Sequence, residues 1–164
     1  MKLVVEAGLI HRDLALRNVL VFALDPSDHK SVRVKVADYG LTKKGTYYYG
    51  GNACLPMRWM PPEALKKRKW SEKSDVWAFG VLLWELWTMG DIPFALESDD
   101  KVVAERVIAG ERLPREGCPE GVYTLMELCW AALPKDRPTF SELQHKLLDL
   151  YTDAVALVQV SRSE

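Results

Sequence analysis

Cysteine is scarce: Cys54, Cys118 and Cys129 are the only three in 164 residues, and no two stand at C-x-x-C spacing. An odd count without paired spacing argues against a disulfide framework and a zinc site, and fits a reducing compartment. An excess of one charge sign is also lacking, since 22 Lys and Arg against 23 Asp and Glu leave a net charge of −1. That balance excludes polyanion binding driven by bulk charge, so no nucleic-acid partner is expected. Long apolar runs are missing as well. The longest uncharged one, Val76–Trp84, is less than half the roughly 20 residues a membrane-spanning helix needs, and Met1–Glu6 does not fit a signal peptide. A cytoplasmic chain without a membrane segment is expected. Nine prolines and ten glycines are too few for a linker-rich chain.

What is present suits a folded domain. The chain is 48% hydrophobic and 27% charged, enough to bury a sizeable core, and its length fits one domain or part of a larger one. Residues 1–9 read as the end of a helix, with Leu3, Val4 and Ala7 on one face and Gly8 as terminator. A start inside a periodic segment leads to the expectation that something precedes it. Val19–Phe22 and Val32–Val36 read as strands joined by the turn-rich Asp25–His29, a β-hairpin. Tyr39–Pro62 shows no sustained period, and loops of that length inside compact domains tend to be functional.

Beyond residue 62 the pattern is helical. A helix is expected from Ser74–Asp75 to about Met89, apolar nearly all round except at Glu85, and therefore buried as the spine of the domain. Ser98–Asp100 opens a second helix, which Gly110 closes. Val122, Leu125, Met126 and Cys129 mark a third, and a capping box at Thr139–Glu142 opens a fourth carrying Leu143, Leu147, Leu150 and Tyr151. The architecture expected is mainly α with one short β-hairpin. The tryptophans read as core, Lys66–Lys69 as a solvated turn before the spine, and His29 and His145 as surface residues without metal-ligand spacing.

Two short segments carry residues suited to phosphoryl transfer, a chemistry of positioning and charge neutralisation. In His11-Arg12-Asp13-Leu14-Ala15-Leu16-Arg17-Asn18, Asp13 can accept a hydroxyl proton and Asn18 can offer a neutral oxygen to a metal. In Asp38-Tyr39-Gly40, a carboxylate at a strand end can bind Mg²⁺, and the glycine frees the following turn.

Here the chain resembles the eukaryotic protein kinases, and within them the tyrosine kinases. His11-Arg12-Asp13 with Asn18 matches H-R-D-x-x-x-x-N, Asp38-Tyr39-Gly40 matches D-F-G, and Pro61-Pro62-Glu63 matches A-P-E. Ser74–Gly80, Cys129-Trp130 and Arg137–Phe140 follow in family order. Ala15 and Arg17, together with Leu55–Met60, resemble the tyrosine-specific rather than the serine/threonine-specific pattern.

The resemblance implies a kinase-like fold represented by its C-terminal lobe, residues 1–151, followed by a helical extension or tail over 152–164. It implies ATP and Mg²⁺ as cofactors and tyrosine-bearing proteins as substrates. Asp13 would be the catalytic base, Arg17 would stabilise transferred charge, Asn18 and Asp38 would hold Mg²⁺, and Leu20 would lie under adenine. Tyr47, Tyr48 and Tyr49 lie where activation-loop phosphosites occur, and a phosphate there would pair with Arg12 or with Lys43 and Lys44. Pro56 and Trp59 would form a substrate platform. Glu63 and Arg137 would form a buried ion pair, Asp75 would brace the catalytic loop, and His11 would pack under Tyr39 rather than act as a base. The glycine-rich loop, the strand lysine and its glutamate partner are absent from these 164 residues, so the N-terminal lobe is expected outside them. A non-catalytic lobe acting as a protein-interaction module is the alternative, and exposed loop aromatics without regulation is the alternative for the three tyrosines.

Overall fold

The computed structural model describes residues 1–25, 27–50 and 55–161. Cys54 and Pro26 of the expected turn lie outside these residues, as does the side chain of His29. The chain opens with helix α1 (Lys2–Glu6) and strand β1 (Leu9–Ile10), then a 3-10 turn over Leu16–Asn18. Strands β2 (Val19–Asp25) and β3 (Asp28–Val36) follow, then β4 (Lys43–Lys44) and β5 (Tyr48–Tyr49). A 3-10 turn at Met57–Trp59, helix α2 (Pro62–Lys67) and strand β6 (Lys69–Trp70) lead to helix α3 (Glu72–Trp87). Helices α4 (Asp100–Ile108), α5 (Glu120–Cys129) and α6 (Phe140–Ser161) complete the described chain. Among the described residues no helix is long and apolar enough to cross a membrane.

The hairpin is longer than its two apolar cores indicate, pairing Val19 with Val36 and reaching Asp25 with Asp28 through two register irregularities. One hairpin is nevertheless an incomplete account of the β-structure. β1 pairs antiparallel with β4 and β5 with β6, so the segment after Tyr39 is tied at two points to distant parts of the chain. Two-residue strands carry no alternation to read, and their pairing is fixed by tertiary packing.

α3 is the spine. Val76, Trp77, Val81, Leu82 and Trp84 are buried in the main core with Leu125, Cys129 and Trp130 from α5 and its end. Full burial of each large apolar side chain contributes about 1.5–3 kcal/mol. The helix starts at Glu72, two residues before Ser74. Ser71 is its cap, accepting from Lys73 N–H, while its own N–H donates to the Ser74 hydroxyl, a reciprocal box that needs no Glu or Gln. Its burial also ends early, because Leu86 and Trp87 are exposed, which corrects the reading of every tryptophan as core. α1 turns a different face inward as well: Met1 and Val5 pack on the core, whereas Leu3 is 79% exposed. The expected box at Thr139–Glu142 is present, with N–H to side-chain bonds of 2.7 and 3.2 Å.

Gly80 marks the closest approach of α3 to its neighbour. A Cβ there would lie 2.6 Å from Trp130 Nε1 and 2.7 Å from Cys129 Cβ, inside contact distance of two groups that have nowhere to move. Gly80→Ala is therefore expected to lower the stability of the fold by about 1–3 kcal/mol, read as a reduced urea midpoint. An unchanged midpoint would show that α3 and α5 are not packed this tightly.

Candidate active site

The loop leaving β1 is held from beneath by α3. Asp75, fully buried, accepts the backbone N–H of His11 at 2.7 Å and of Arg12 at 2.9 Å. Arg12 sits at φ 71°, a left-handed conformation that costs a side-chain-bearing residue about 1–2 kcal/mol, and the two amide bonds to one carboxyl group hold it there. His11 is buried 5.0 Å from the Tyr39 ring. Its Nε2 lies 3.1 Å from the Ala37 carbonyl, and its Nδ1 accepts from Asp13 N–H at 3.3 Å. Both ring nitrogens are thus occupied and burial lowers its pKa, the state of a neutral packing residue rather than of a general base.

Asp13, Arg17 and Asn18 converge. Asp13 Oδ1 pairs with Arg17 Nη2. Asn18 Nδ2 donates to Asp13 Oδ2 at 3.0 Å and to its carbonyl at 2.7 Å, which commits the amide's donor end and leaves its oxygen as the end available to a cation. Asn18 also ties the hairpin to this loop, because its carbonyl accepts from Ala37 N–H at 2.8 Å. One residue further on, Asp38 is exposed at φ 61°, with Oδ1 accepting from Gly40 N–H at 3.1 Å. An amide oxygen and a carboxylate are hard donors that suit Mg²⁺, which keeps several waters and takes one or two carboxylates together with phosphate oxygens. Among the described residues no group of three or more His, Cys, Asp or Glu forms a metal cage; the donor set fits a cation shared with a phosphate. Leu20, on β2, is 48% exposed.

Strand alternation separates the three tyrosines. Tyr48 faces inward, 6.0 Å from the Trp70 ring, while Tyr47 and Tyr49 are exposed. The guanidinium of Arg12 lies between Tyr48 and Trp70, 4.4 and 4.3 Å from their ring centroids. Lys69 was expected in a solvated turn, yet it is a half-buried strand residue whose Nζ lies 4.4 Å from the Tyr47 centroid. Lys66, Lys67 and Arg68 are exposed as expected, but Lys66 and Lys67 form the last turn of α2 rather than a loop, and only Arg68, its cap at φ 51°, lies between elements. Lys43 Nζ lies 5.5 Å from the Tyr48 centroid.

Pro56 and Trp59 are half-buried on the 3-10 turn. The indole N–H of Trp59 donates to Glu85 Oε2 at 2.9 Å, and the Arg17 guanidinium lies 4.5 Å from its ring centroid. Arg58 anchors this turn, donating to Asp100 at 2.7 Å and to the carbonyls of Pro93, Phe94 and Glu97. Glu63 and Arg137 form a two-bonded pair at 2.7 and 2.8 Å, with the arginine side chain fully buried. Sequence reasoning missed Arg58, Lys69 and the function of Glu85. Glu85 had a signal, being the one carboxylate in an otherwise apolar helix.

Comparison with known proteins agrees with this geometry. A profile for protein tyrosine and serine/threonine kinases matches residues 1–147. The chain is 46% identical to inactive tyrosine-protein kinase 7 of Homo sapiens over 88% of its own length and 13% of that protein's. It is 46% identical to the megakaryocyte-associated tyrosine-protein kinase of Mus musculus, covering 85% of this chain and 26% of that one. With the tyrosine-protein kinase receptor torso of Bombyx mori the identity is 39%, over 95% of this chain and 19% of the relative. The chain thus spans about a quarter or less of the length of these relatives.

Burial pushes the Asp75 carboxyl up from 3.8 to about 7, against the two amide bonds that favour its charged form. Between those values the folded chain retains a proton that the unfolded chain has lost, so this contribution to stability declines as pH rises from 3.8 towards about 7. His11 pulls the other way, because its lowered pKa makes stability fall as the solution is acidified below 6.5. Asp75→Asn isolates the first effect. The variant loses an acceptor for one amide, and its deficit in urea midpoint against the native chain is expected to shrink from about pH 5 to about pH 8. A deficit that widens over that range would refute the raised carboxyl pKa.

Proposed function

The chain belongs to the protein kinase superfamily, in its tyrosine kinase group, and from that premise we propose that it is the C-terminal lobe of a protein-tyrosine kinase catalytic domain. In this reading residues 1–151 form the lobe and 152–164 a helical extension or tail. The reaction is Mg²⁺-dependent transfer of the ATP γ-phosphoryl group to tyrosine of protein substrates, on the cytoplasmic side where ATP is available. One observation carries the proposal: Asp13 is held through one oxygen by Arg17 and through the other by Asn18.

In this role Asp13 accepts the phenol proton as the phenol oxygen bonds to the γ-phosphorus and the bond from that phosphorus to the β-phosphate oxygen breaks, releasing ADP. Arg17 then faces the charge that develops on the transferred group; Asn18 and Asp38 would hold Mg²⁺, which would supply neutralisation of the phosphate charge. Leu20 offers an apolar surface to the adenine, and Pro56 with Trp59 borders the tyrosine site. Tyr47, Tyr48 and Tyr49 are the candidate phosphosites, with Tyr47 and Tyr49 the accessible ones. His11, Arg12, Glu63, Asp75 and Arg137 hold the frame. The glycine-rich loop and the phosphate-anchoring lysine that complete such a site come from the N-terminal lobe.

A second reading has its own support, because a relative at 46% identity bears the name of an inactive kinase. In that reading the lobe binds partners and transfers nothing.

The two are separated by phosphotransfer to a tyrosine peptide. The 164 residues alone are expected to give no measurable turnover. A chain in which they are joined to an N-terminal lobe is expected to turn over, and Asp13→Asn should reduce kcat by about 10²–10⁴-fold, the usual contribution of a general base. Full-domain protein that binds Mg-ATP but transfers nothing would establish the second reading.

A further inference from the structure

Glu85 is buried on α3, with the residue only 6% exposed, and none of the roles above uses it. A single oxygen, Oε2, accepts the backbone N–H of Leu16 at 2.9 Å and the indole N–H of Trp59 at 2.9 Å. Leu16 belongs to the loop that carries Asp13, whereas Trp59 belongs to the separate turn 57–59, so one carboxyl oxygen joins two segments far apart in sequence. Both lead to the same side chain. Leu16 immediately precedes Arg17, so the first bond fixes the backbone from which Arg17 departs. The Trp59 ring is the surface on which the Arg17 guanidinium rests, 4.5 Å from the centroid, so the second bond fixes that surface. Arg17 in turn pairs with Asp13.

We propose that Glu85 is a positioning residue for the transfer site: it sets the seat of Arg17, and through Arg17 the carboxylate of Asp13, by gripping Leu16 and Trp59 together. This rests on the kinase reading for its catalytic meaning, although the mechanical coupling stands without it. A burial this complete makes the arrangement stiff, because an unsatisfied carboxyl group or indole N–H at this depth would carry a large desolvation cost. Long flexible arginine side chains lose much rotamer freedom when fixed. A flat aromatic seat held at its edge by a hydrogen bond reduces how much of that freedom remains at the moment of reaction.

The chemistry predicts an ordered series of variants. Glu85→Gln keeps an oxygen acceptor of the same length and should retain both bonds. Glu85→Ala removes the acceptor, and Trp59→Phe keeps a ring under Arg17 but deletes the indole donor. The readouts use the full protein and require no turnover: hydrogen exchange of the Leu16 amide, and the ring-current displacement of the Arg17 side-chain resonances. Glu85→Ala is expected to accelerate Leu16 exchange and to reduce the Arg17 displacement, while Glu85→Gln leaves both near the native values. If Glu85→Ala does not fold, Trp59→Phe carries the test, since it should alter the Arg17 displacement and spare Leu16 exchange. Unchanged Arg17 resonances in folded Glu85→Ala, or in Trp59→Phe where Glu85→Ala does not fold, or a Gln variant as perturbed as the Ala variant, would overturn the proposal. Where the protein turns over, Glu85→Ala should lower kcat by about 10–100-fold, the scale of a small misplacement at the reacting centre, with KM for ATP within about twofold. Equal loss in the Gln variant, or a change confined to KM, would overturn the positioning role. A protein that shows the resonance changes but no turnover in its native form would sink the kinase reading and leave the coupling intact.

Discussion

Asp75 and Glu85 stand ten residues apart on α3, about 15 Å along a helix of this pitch, and each accepts backbone N–H groups from the same loop. Asp75 takes His11 and Arg12; Glu85 takes Leu16. Because both carboxyl groups are buried, neither can release its amides without leaving polar groups unsatisfied in the core. The helix therefore acts as a rigid bar against which residues 11–16 are pinned at two places, and Asp13 lies in the span between the pins. Everything else about the site follows from that clamp. The left-handed turn at Arg12, the bond from Asp13 N–H to His11, and the meeting of Asp13 with Arg17 and Asn18 are the shapes a short chain takes when both ends are fixed. The Glu63–Arg137 pair serves the opposite side of α3, where Arg137 also donates to the Lys73 carbonyl at 2.9 Å, tying the first turn of the bar to the segment before α6.

How far this was legible depends on the range of the interaction. Local signals were clear: the capping box at Thr139, the long apolar run of α3, and the cap at Asp99, whose carboxylate accepts from Lys101 N–H. The motif residues Asp13, Asn18 and Asp38 were legible because their spacing is itself the signal, and the structure brings Asn18 onto Asp13 as that spacing implies. Pairings between distant short segments were not. Nothing in Lys43–Lys44 or Tyr48–Tyr49 announces a strand, and their partners at β1 and β6 are decided by the packing of Ile10 and Trp70, each 1% exposed. The start of α3 was misplaced for a related reason. Ser71 and Ser74 are both good cap residues, and only the strand ending at Trp70 decides between them.

Arg12 shows how the same frame controls a charge. Tyr48 and Trp70 both pack against its guanidinium, their ring centroids 4.4 and 4.3 Å away, and Nη1 donates to the Leu41 carbonyl at 3.0 Å. The Nε and Nη2 edge, the one suited to two-point pairing with an anion, is buried without a hydrogen-bond partner among the described residues. The space around Arg12, Trp70 and Asp75 amounts to about 10 Å³, room for one water and not for a phosphate. Pairing of Arg12 with a phosphorylated loop tyrosine thus requires the Tyr48 stack to open. In the arrangement seen here, Lys69 rather than Arg12 is the cation within reach of the exposed Tyr47 and Tyr49 rings.

The frame residues Asp75, Glu63 and Arg137 do not distinguish an active kinase lobe from an inactive one, because their buried bonds brace the fold in either. Asp38 is more informative. It is exposed, sits at φ 61° and accepts locally from Gly40 N–H, a left-handed conformation that aspartate tolerates through such local bonding. An exposed aspartate bonded this way adds little to the fold, and its carboxylate is what a metal-bridged phosphate requires. The hairpin beside it makes a second argument. Val21, Phe22 and Leu24 on β2 and Val34 on β3 are exposed, a concentration of apolar side chains of the kind that marks a covered surface. In the proposed function that surface is where the N-terminal lobe closes over the nucleotide. In the same reading the Asp38 carboxylate and the apolar side chains of β2 are assigned to one nucleotide-facing surface, the first to its phosphates and the second to its base.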